Sequence, residues 1–115
     1  MTRNYKNFKT TSFLSEGSAL EGVLTVKGGI RIDGSLKGRI HSESVVYLGD
    51  TADIEADIEA EAVISSGKVA GNIASVQQVQ VNLPGSVKGS IETRELVLEK
   101  GVYFDGSCKI TTPHR

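Results

Sequence analysis

The chain has 115 residues, a formal net charge of −1 and a single cysteine, Cys108. Hydrophobic residues make up 38% and charged residues 23%, which predicts a folded domain, while the near-neutral charge argues against a nucleic-acid-binding domain. One cysteine excludes an internal disulfide framework and a cysteine-based zinc cluster, and without a membrane-length apolar run or signal peptide we expect a cytoplasmic protein.

Residues 1–15 form the first predicted element, a flexible basic arm that contains no acidic residue. Cations are attracted to anionic lipid and aromatic rings insert at its surface, so the arm is a candidate for binding the inner membrane surface. A mobile terminus without a binding role is the alternative. The candidate membrane-binding residues are Arg3, Tyr5, Lys6, Phe8, Lys9 and Phe13.

Residues 16–110 contain an internal repeat, a five-residue unit with apolar ends and a small residue, usually glycine, at its centre. The six units begin at Leu20, Leu36, Ile54, Val69, Val87 and Phe104. The intervals between these starts are 16, 18, 15, 18 and 17 residues. A second series of apolar pairs runs between the units with nearly the same period. Its members are Ile30/Ile32, Val46/Leu48, Ala62/Ile64, Val79/Val81 and Leu96/Leu98.

Alternation of apolar and polar residues within each unit predicts β-strands, because successive side chains of a strand point to opposite faces. Strands this short bury an apolar face only when successive coils stack in register, about 4.8 Å apart. The sequence therefore predicts an all-β fold, a single-stranded β-helix (β-solenoid) of about six windings with roughly 17 residues each. The small central residue indicates a narrow inward side or a bend of the backbone.

The two ends of such a β-helix expose core side chains and unpaired strand edges, and solenoids usually cover them with a cap. We expect no cap here, because residues 111–115 form only a short tail. Large apolar residues at both ends predict contacts between N-terminal ends and between C-terminal ends, giving a homopolymer without polarity. The expected polymerisation interface comprises Leu20, Val23, Leu24, Leu96, Leu98, Val102, Tyr103 and Phe104. Phe104 closing its own core without contacting a second molecule is the alternative.

Motifs for catalysis or cofactor binding are missing from the sequence. There is no phosphate-binding loop and no dinucleotide-binding glycine motif, and two histidines cannot build a three-histidine metal site. We therefore expect a non-enzymatic protein with no cofactor, nucleotide or metal. We interpret His41 as a solvated loop residue. The acidic run over residues 50–61 is interpreted as a solvated face whose repulsion keeps rods from bundling.

Residues 28–40 (GGIRIDGSLKGRI) and 99–106 (EKGVYFDG) resemble the bactofilins, bacterial polymer-forming cytoskeletal proteins, and the similarity extends over residues 17–110. The resemblance implies a right-handed β-helix of about six windings and nucleotide-independent filaments without polarity. It also implies a scaffold at the inner face of the cytoplasmic membrane that places cell-wall enzymes in shape control. Phe104 matches a phenylalanine of the final coil that this family needs for polymerisation, and the arm resembles the family's membrane-binding peptide in location.

Two other functions are compatible with a solenoid. A left-handed β-helix acyltransferase of the hexapeptide-repeat type would explain the six-residue spacing of Leu24, Ile30 and Leu36, but the spacing fails at Ser42. A β-solenoid binding module that does not polymerise, such as an ice-binding rod, is the third hypothesis. An ice-binding rod would need a flat outward array of threonines, whereas the outward rows here are charged.

Overall fold

A computed structural model describes residues 10–111, and every regular element in this range is a β-strand. The strands are β1 (Thr10–Leu14), β2 (Ala19–Val26), β3 (Gly29–Ile32), β4 (Ser35–Ser42), β5 (Val45–Leu48), β6 (Asp53–Ser65), β7 (Lys68–Val81), β8 (Ser86–Thr93), β9 (Glu95–Leu98) and β10 (Tyr103–Ile110).

The strands pair in parallel and form two stacks, as in a β-solenoid. One stack contains β2, β4, the first parts of β6 and β7, then β8 and β10. The other contains β1, β3, β5, the last parts of β6 and β7, then β9. The solenoid has about five turns, slightly fewer than the six windings expected, because six stacked strands are separated by five turns of chain.

The starts of the six repeat units form one continuous column, where a column is a set of residues paired in register from coil to coil. Leu20 pairs with Leu36, which pairs with Ile54, and the column continues through Val69 and Val87 to Phe104. Its four middle members are at most 2% exposed. The spacing of the repeat units therefore predicted this part of the core correctly.

The second predicted series is wrong at one coil. Val46 and Val79 pair with Val63, and Leu48 and Val81 pair with Ser65, so Val63 and Ser65 occupy the places expected for Ala62 and Ile64. The cause is a corner one residue shorter than that of the coil before it. Val45 follows His41 by four positions, whereas their partners Ala62 and Glu59 are only three positions apart. Ser65 is fully buried as a result, and its hydroxyl accepts a 3.3 Å hydrogen bond from the backbone N–H of Gly67.

The central residues of the repeat form a column of their own, in which Ala56 stands between Gly38 and Gly71. Gly38, Gly71 and Gly89 have φ values of +131°, +141° and +140°, a region that side chains with a Cβ rarely adopt. A Cβ at Gly89 would overlap the backbone oxygen of Gly71 in the preceding coil. Close approach of stacked backbones, rather than a narrow inward side, therefore requires glycine here.

The solenoid begins earlier than expected. Thr10–Leu14 was assigned to the flexible arm, but it forms β1 and pairs with β3, so that Leu14 lies beside Ile32. Leu14 continues an inward column of the core, and strand pairing lets it cover the core while its backbone N–H and C=O groups form hydrogen bonds. Residues 1–9 and 112–115 lie outside the described range.

Candidate functional site: the two ends of the solenoid

The C-terminal coil consists of β9 and β10, each paired on one side. Within residues 10–111, β9 pairs with β7 and β10 pairs with β8, and neither strand has a second neighbour. An edge of this kind presents a row of backbone N–H and C=O groups that can pair with another strand. The eight residues of β10 make it the longer of these two edges.

Core columns reach the surface at this end. Leu96, Val102 and Phe104 pack against the core but are only partly buried, and Leu98 is 39% exposed. The structure also places Ile110, 48% exposed, in the column of Thr93. Ile110 is not among the predicted interface residues because it lies beyond the five-residue unit. Its alternation with Phe104 and Cys108 along the strand is the signal in the sequence that indicates it.

Tyr103 belongs to the outer wall rather than to the exposed cross-section of the core. It pairs with Ser86, is 60% exposed, and its hydroxyl lies 3.4 Å from Oδ2 of Asp105. Because its side chain points outward from the wall, Tyr103 would touch a second molecule at the C-terminal end only along the edge of the contact.

The N-terminal coil consists of β1 and β2, which pair only with β3 and β4 among the strands described. Leu20 is 39% exposed, and Leu24 is partly buried against the core together with Leu14 and Val26, which are not among the predicted interface residues. Val23, 73% exposed, points outward in the column that continues with an arginine and an aspartate. The two ends therefore share one arrangement: open core columns beside a strand edge.

The acidic run on β6 is exposed, but the structure does not make it a uniformly acidic wall. Asp53 pairs with Lys68, Glu55 with Lys37, and Asp57 with Arg39 of the adjacent coils. Opposite charges at paired positions of adjacent strands attract one another, and the attraction does not require a direct salt bridge. The acids lie at the surface as expected, but opposite charges 15–18 residues away in the sequence lie beside three of them and reduce the repulsion expected from this face.

His41 is the second-to-last residue of β4 and does not lie in a loop. Its Nδ1 is 3.0 Å from Oε1 of Glu59, its partner in the next coil. Both residues line an open groove of about 630 Å³ at the corner of the solenoid, together with Glu61, Val76 and Glu92. No cluster of three or more potential metal ligands occurs in the part of the chain that the structure describes.

The motif at residues 28–40 has a structural role that links two coils. The Nε of Arg31 donates a 2.9 Å hydrogen bond to Asp33, and its guanidinium lies 4.8 Å from the centre of the Tyr47 ring in the next coil. The bond to Asp33 raises the pKa of Arg31. Thr51 donates a 2.7 Å hydrogen bond to the backbone oxygen of Asp33. These contacts stabilise the stacking of one coil on the next.

The candidate membrane-binding residues lie almost entirely outside the described residues. Arg3, Tyr5, Lys6, Phe8 and Lys9 precede the described range, and Phe13 lies in β1, where its backbone pairs with Arg31. Residues 10–111 contain no helix long and apolar enough to cross a membrane.

Comparisons with known proteins converge on one family. Residues 12–109 match the bactofilin family, described as polymer-forming cytoskeletal. Bactofilin BacO of Myxococcus xanthus is 27% identical over 96 residues, which cover 84% of this chain and 76% of BacO. The structure is similar to that of the cytoskeletal bactofilin BacA determined by solid-state NMR, with a TM-score of 0.77 and 32% identity over 92% of this chain and all of BacA. It is also similar to the structure of a Thermus thermophilus bactofilin that carries a phenylalanine-to-arginine mutation, with a TM-score of 0.73 and 25% identity. That similarity covers 78% of this chain and all of the Thermus thermophilus chain.

Proposed function

Because the chain belongs to the bactofilin family of polymer-forming cytoskeletal proteins, we propose that it assembles end to end into filaments without polarity. The contacts are N-terminal end to N-terminal end and C-terminal end to C-terminal end. The observation that supports this most directly is that core columns open to solvent at both ends, with Leu20 39%, Leu98 39% and Ile110 48% exposed.

Burial of these side chains drives the assembly. Each Å² of apolar surface removed from water contributes about 25 cal/mol, and pairing of the edge strands satisfies the backbone groups that the contact would otherwise bury. Neither contribution needs a bound nucleotide. The filament therefore forms without ATP, GTP or metal.

The filament acts as a scaffold at the inner face of the cytoplasmic membrane and positions cell-wall or cell-shape machinery. Arg3, Lys6 and Lys9 supply cations, and the aromatic residues of the arm supply groups that insert at the lipid surface. One arm binds weakly, at about 1 kcal/mol per cation. A polymer that carries many arms binds by avidity.

Negative-stain electron microscopy of the purified chain tests the proposal, with and without ATP, GTP and a metal chelator. We expect filaments of the same appearance in every condition. Monodisperse particles over a range of salt and protein concentrations would contradict end-to-end assembly, and filaments that need a nucleotide would contradict the mechanism.

A further inference from the structure

We propose that two C-terminal ends meet through antiparallel pairing of their β10 strands, with the two-fold axis at Ser107. This register places Phe104 over Ile110 of the second copy and Asp105 beside Lys109 of the second copy. The inference rests on the proposed function and adds the pairing register of one of its two contacts.

The inward residues of β10 are arranged symmetrically about Ser107. Large apolar side chains lie three residues away on each side, at Phe104 and Ile110, and the smaller Gly106 and Cys108 lie between them. A two-fold axis at Ser107 brings each large residue over the large residue of the other copy and Gly106 over Cys108. The contact thus covers the partly buried Phe104 and the 48% exposed Ile110 at the same time.

The outward charges of β10 follow the same symmetry. Asp105 and Lys109 lie two residues on either side of Ser107, and within the chain they pair with Lys88 and Glu92 of β8. Opposite charges are therefore already in register between these two coils. Antiparallel pairing at Ser107 extends this alternation of charge across the junction. The order of paired residues becomes Lys88, Asp105, Lys109 of the second copy and Glu92 of the second copy. Opposite charges at paired positions stabilise strand pairing.

A head-to-tail contact fits these residues less well. Continuing the register of the solenoid into a second molecule would stack β10 on β2, with Phe104 over Leu20 of the second copy. Such a contact continues the glycine column, but it places Asp105 directly beside Glu21 of the second copy, and like charges in paired positions are destabilising.

Any antiparallel register whose two-fold axis lies at a residue of β10 keeps inward residues inward. The nearest alternatives have the axis one residue earlier, at Gly106, or one residue later, at Cys108. An axis at Gly106 would pair Asp105 with Ser107 and Lys109 with Tyr103 of the second copy, and one at Cys108 would pair Asp105 with Thr111 and Lys109 with Ser107 of the second copy. Neither charge would then meet an opposite charge across the junction, so the register at Ser107 is favoured.

Charge substitutions at Ser107 distinguish these arrangements. Ser107 is exposed and pairs within its own chain with Ser90 of β8, so a new charge meets no charge on its paired neighbour. Filament formation is measured by pelleting at low salt for Ser107→Asp, for Ser107→Lys and for a 1:1 mixture, and circular dichroism checks that each variant folds. At the two-fold axis each substitution faces its own copy, so each raises the critical concentration roughly threefold or more and the mixture restores it.

The other arrangements give different results, and each would overturn the register. An axis at Gly106 places Ser107 beside Asp105 of the second copy, so Ser107→Asp weakens assembly while Ser107→Lys strengthens it. An axis at Cys108 places Ser107 beside Lys109 of the second copy and reverses these two effects. A head-to-tail contact places Ser107 beside Val23 of the second copy, so the mixture behaves as the average of the two variants.

Oxidative cross-linking gives a second measurement. In a Cys108→Ser background, Ser107→Cys is expected to form a disulfide-linked dimer within filaments, because only the residue at the axis faces itself. Asp105→Cys serves as the control and should not cross-link. Filaments that form without this cross-link would overturn the register but leave the proposed function intact, whereas a wild-type chain without filaments would overturn both.

Discussion

The middle coils and the end coils are built from the same columns but differ in how completely those columns are covered. In the middle, Ile54 and Val87 are fully buried between the coils on either side of them. Leu20 begins their column and is 39% exposed, because no described coil lies beyond it. In the proposed function, the surface that assembles is therefore not a separate site: it is the core itself where the next coil is missing. Assembly would then extend to the end coils the same packing between coils that folding completes in the middle coils.

The largest effect should come from breaking a middle coil. Gly89→Ala is expected to lower the free energy of unfolding by about 4 kcal/mol or more, because the new Cβ would overlap the backbone oxygen of Gly71 at a φ of +140°. Gly22 provides the control, since it has a φ of +135° but nothing within 4 Å of a Cβ. Gly22→Ala should lower the free energy of unfolding only by the strain of a positive φ, about 1–3 kcal/mol. If chemical denaturation shows equal losses in the free energy of unfolding for the two variants, the close approach of stacked backbones is not the reason for glycine at position 89.

Substitutions at the ends should break assembly and leave the fold. Phe104→Arg would bury an unpaired charge in the C-terminal contact, a cost of roughly 3 kcal/mol. Only N-terminal contacts then remain, so analytical ultracentrifugation should show dimers. Leu20→Arg should likewise leave only C-terminal dimers, and the double variant should be a monomer. Ala70→Arg, which puts the same charge on the exposed wall of a middle coil, is the control and should form filaments; long filaments of Phe104→Arg would remove this residue from the contact.

Removing the arm should separate membrane binding from assembly. Deletion of residues 1–9 stops short of β1, and therefore leaves every described strand in place. We expect unchanged filaments and loss of co-sedimentation with anionic liposomes, at about 1 kcal/mol per cation removed. Liposome binding equal to that of the full chain would show that Arg3, Lys6 and Lys9 have no such role.

The smallest effect should come from the contacts that link the second and third coils. Arg31→Met removes the ion pair with Asp33 and the charge over Tyr47 but keeps an apolar stem. The Arg31 side chain is 45% exposed, so we expect a loss of about 0.5–1 kcal/mol in the free energy of unfolding and no change in filaments. A loss of filaments would show that the wall of the solenoid, and not only its ends, takes part in assembly.

The sequence predicted the columns well where one residue type recurs at one place in each coil. The column from Leu20 to Phe104 was identified in full for this reason. The series through Ala62 and Ile64 is wrong by one residue at this coil. A corner that is one residue shorter changes the interval between coils by one residue, and the intervals of the repeat already vary by more than that, so the sequence does not show the difference.

Outward neighbours were harder to predict than inward ones. The acids of β6 are adjacent in sequence, but their charged partners are a full coil away, and only the register identifies Lys37 beside Glu55. Val23 and Tyr103 were assigned to the end faces because they are large and apolar or aromatic, whereas the strand phase turns both outward. A residue's place in a solenoid is thus fixed by its phase and register as much as by its hydrophobicity.

The most direct test is a cryo-electron microscopy reconstruction of the filament. The account predicts that subunits alternate in direction and that the core columns run through both kinds of junction, with Phe104 buried at one and Leu20 at the other. Subunits that all point the same way, or filaments held by their walls with both ends in solvent, would contradict it.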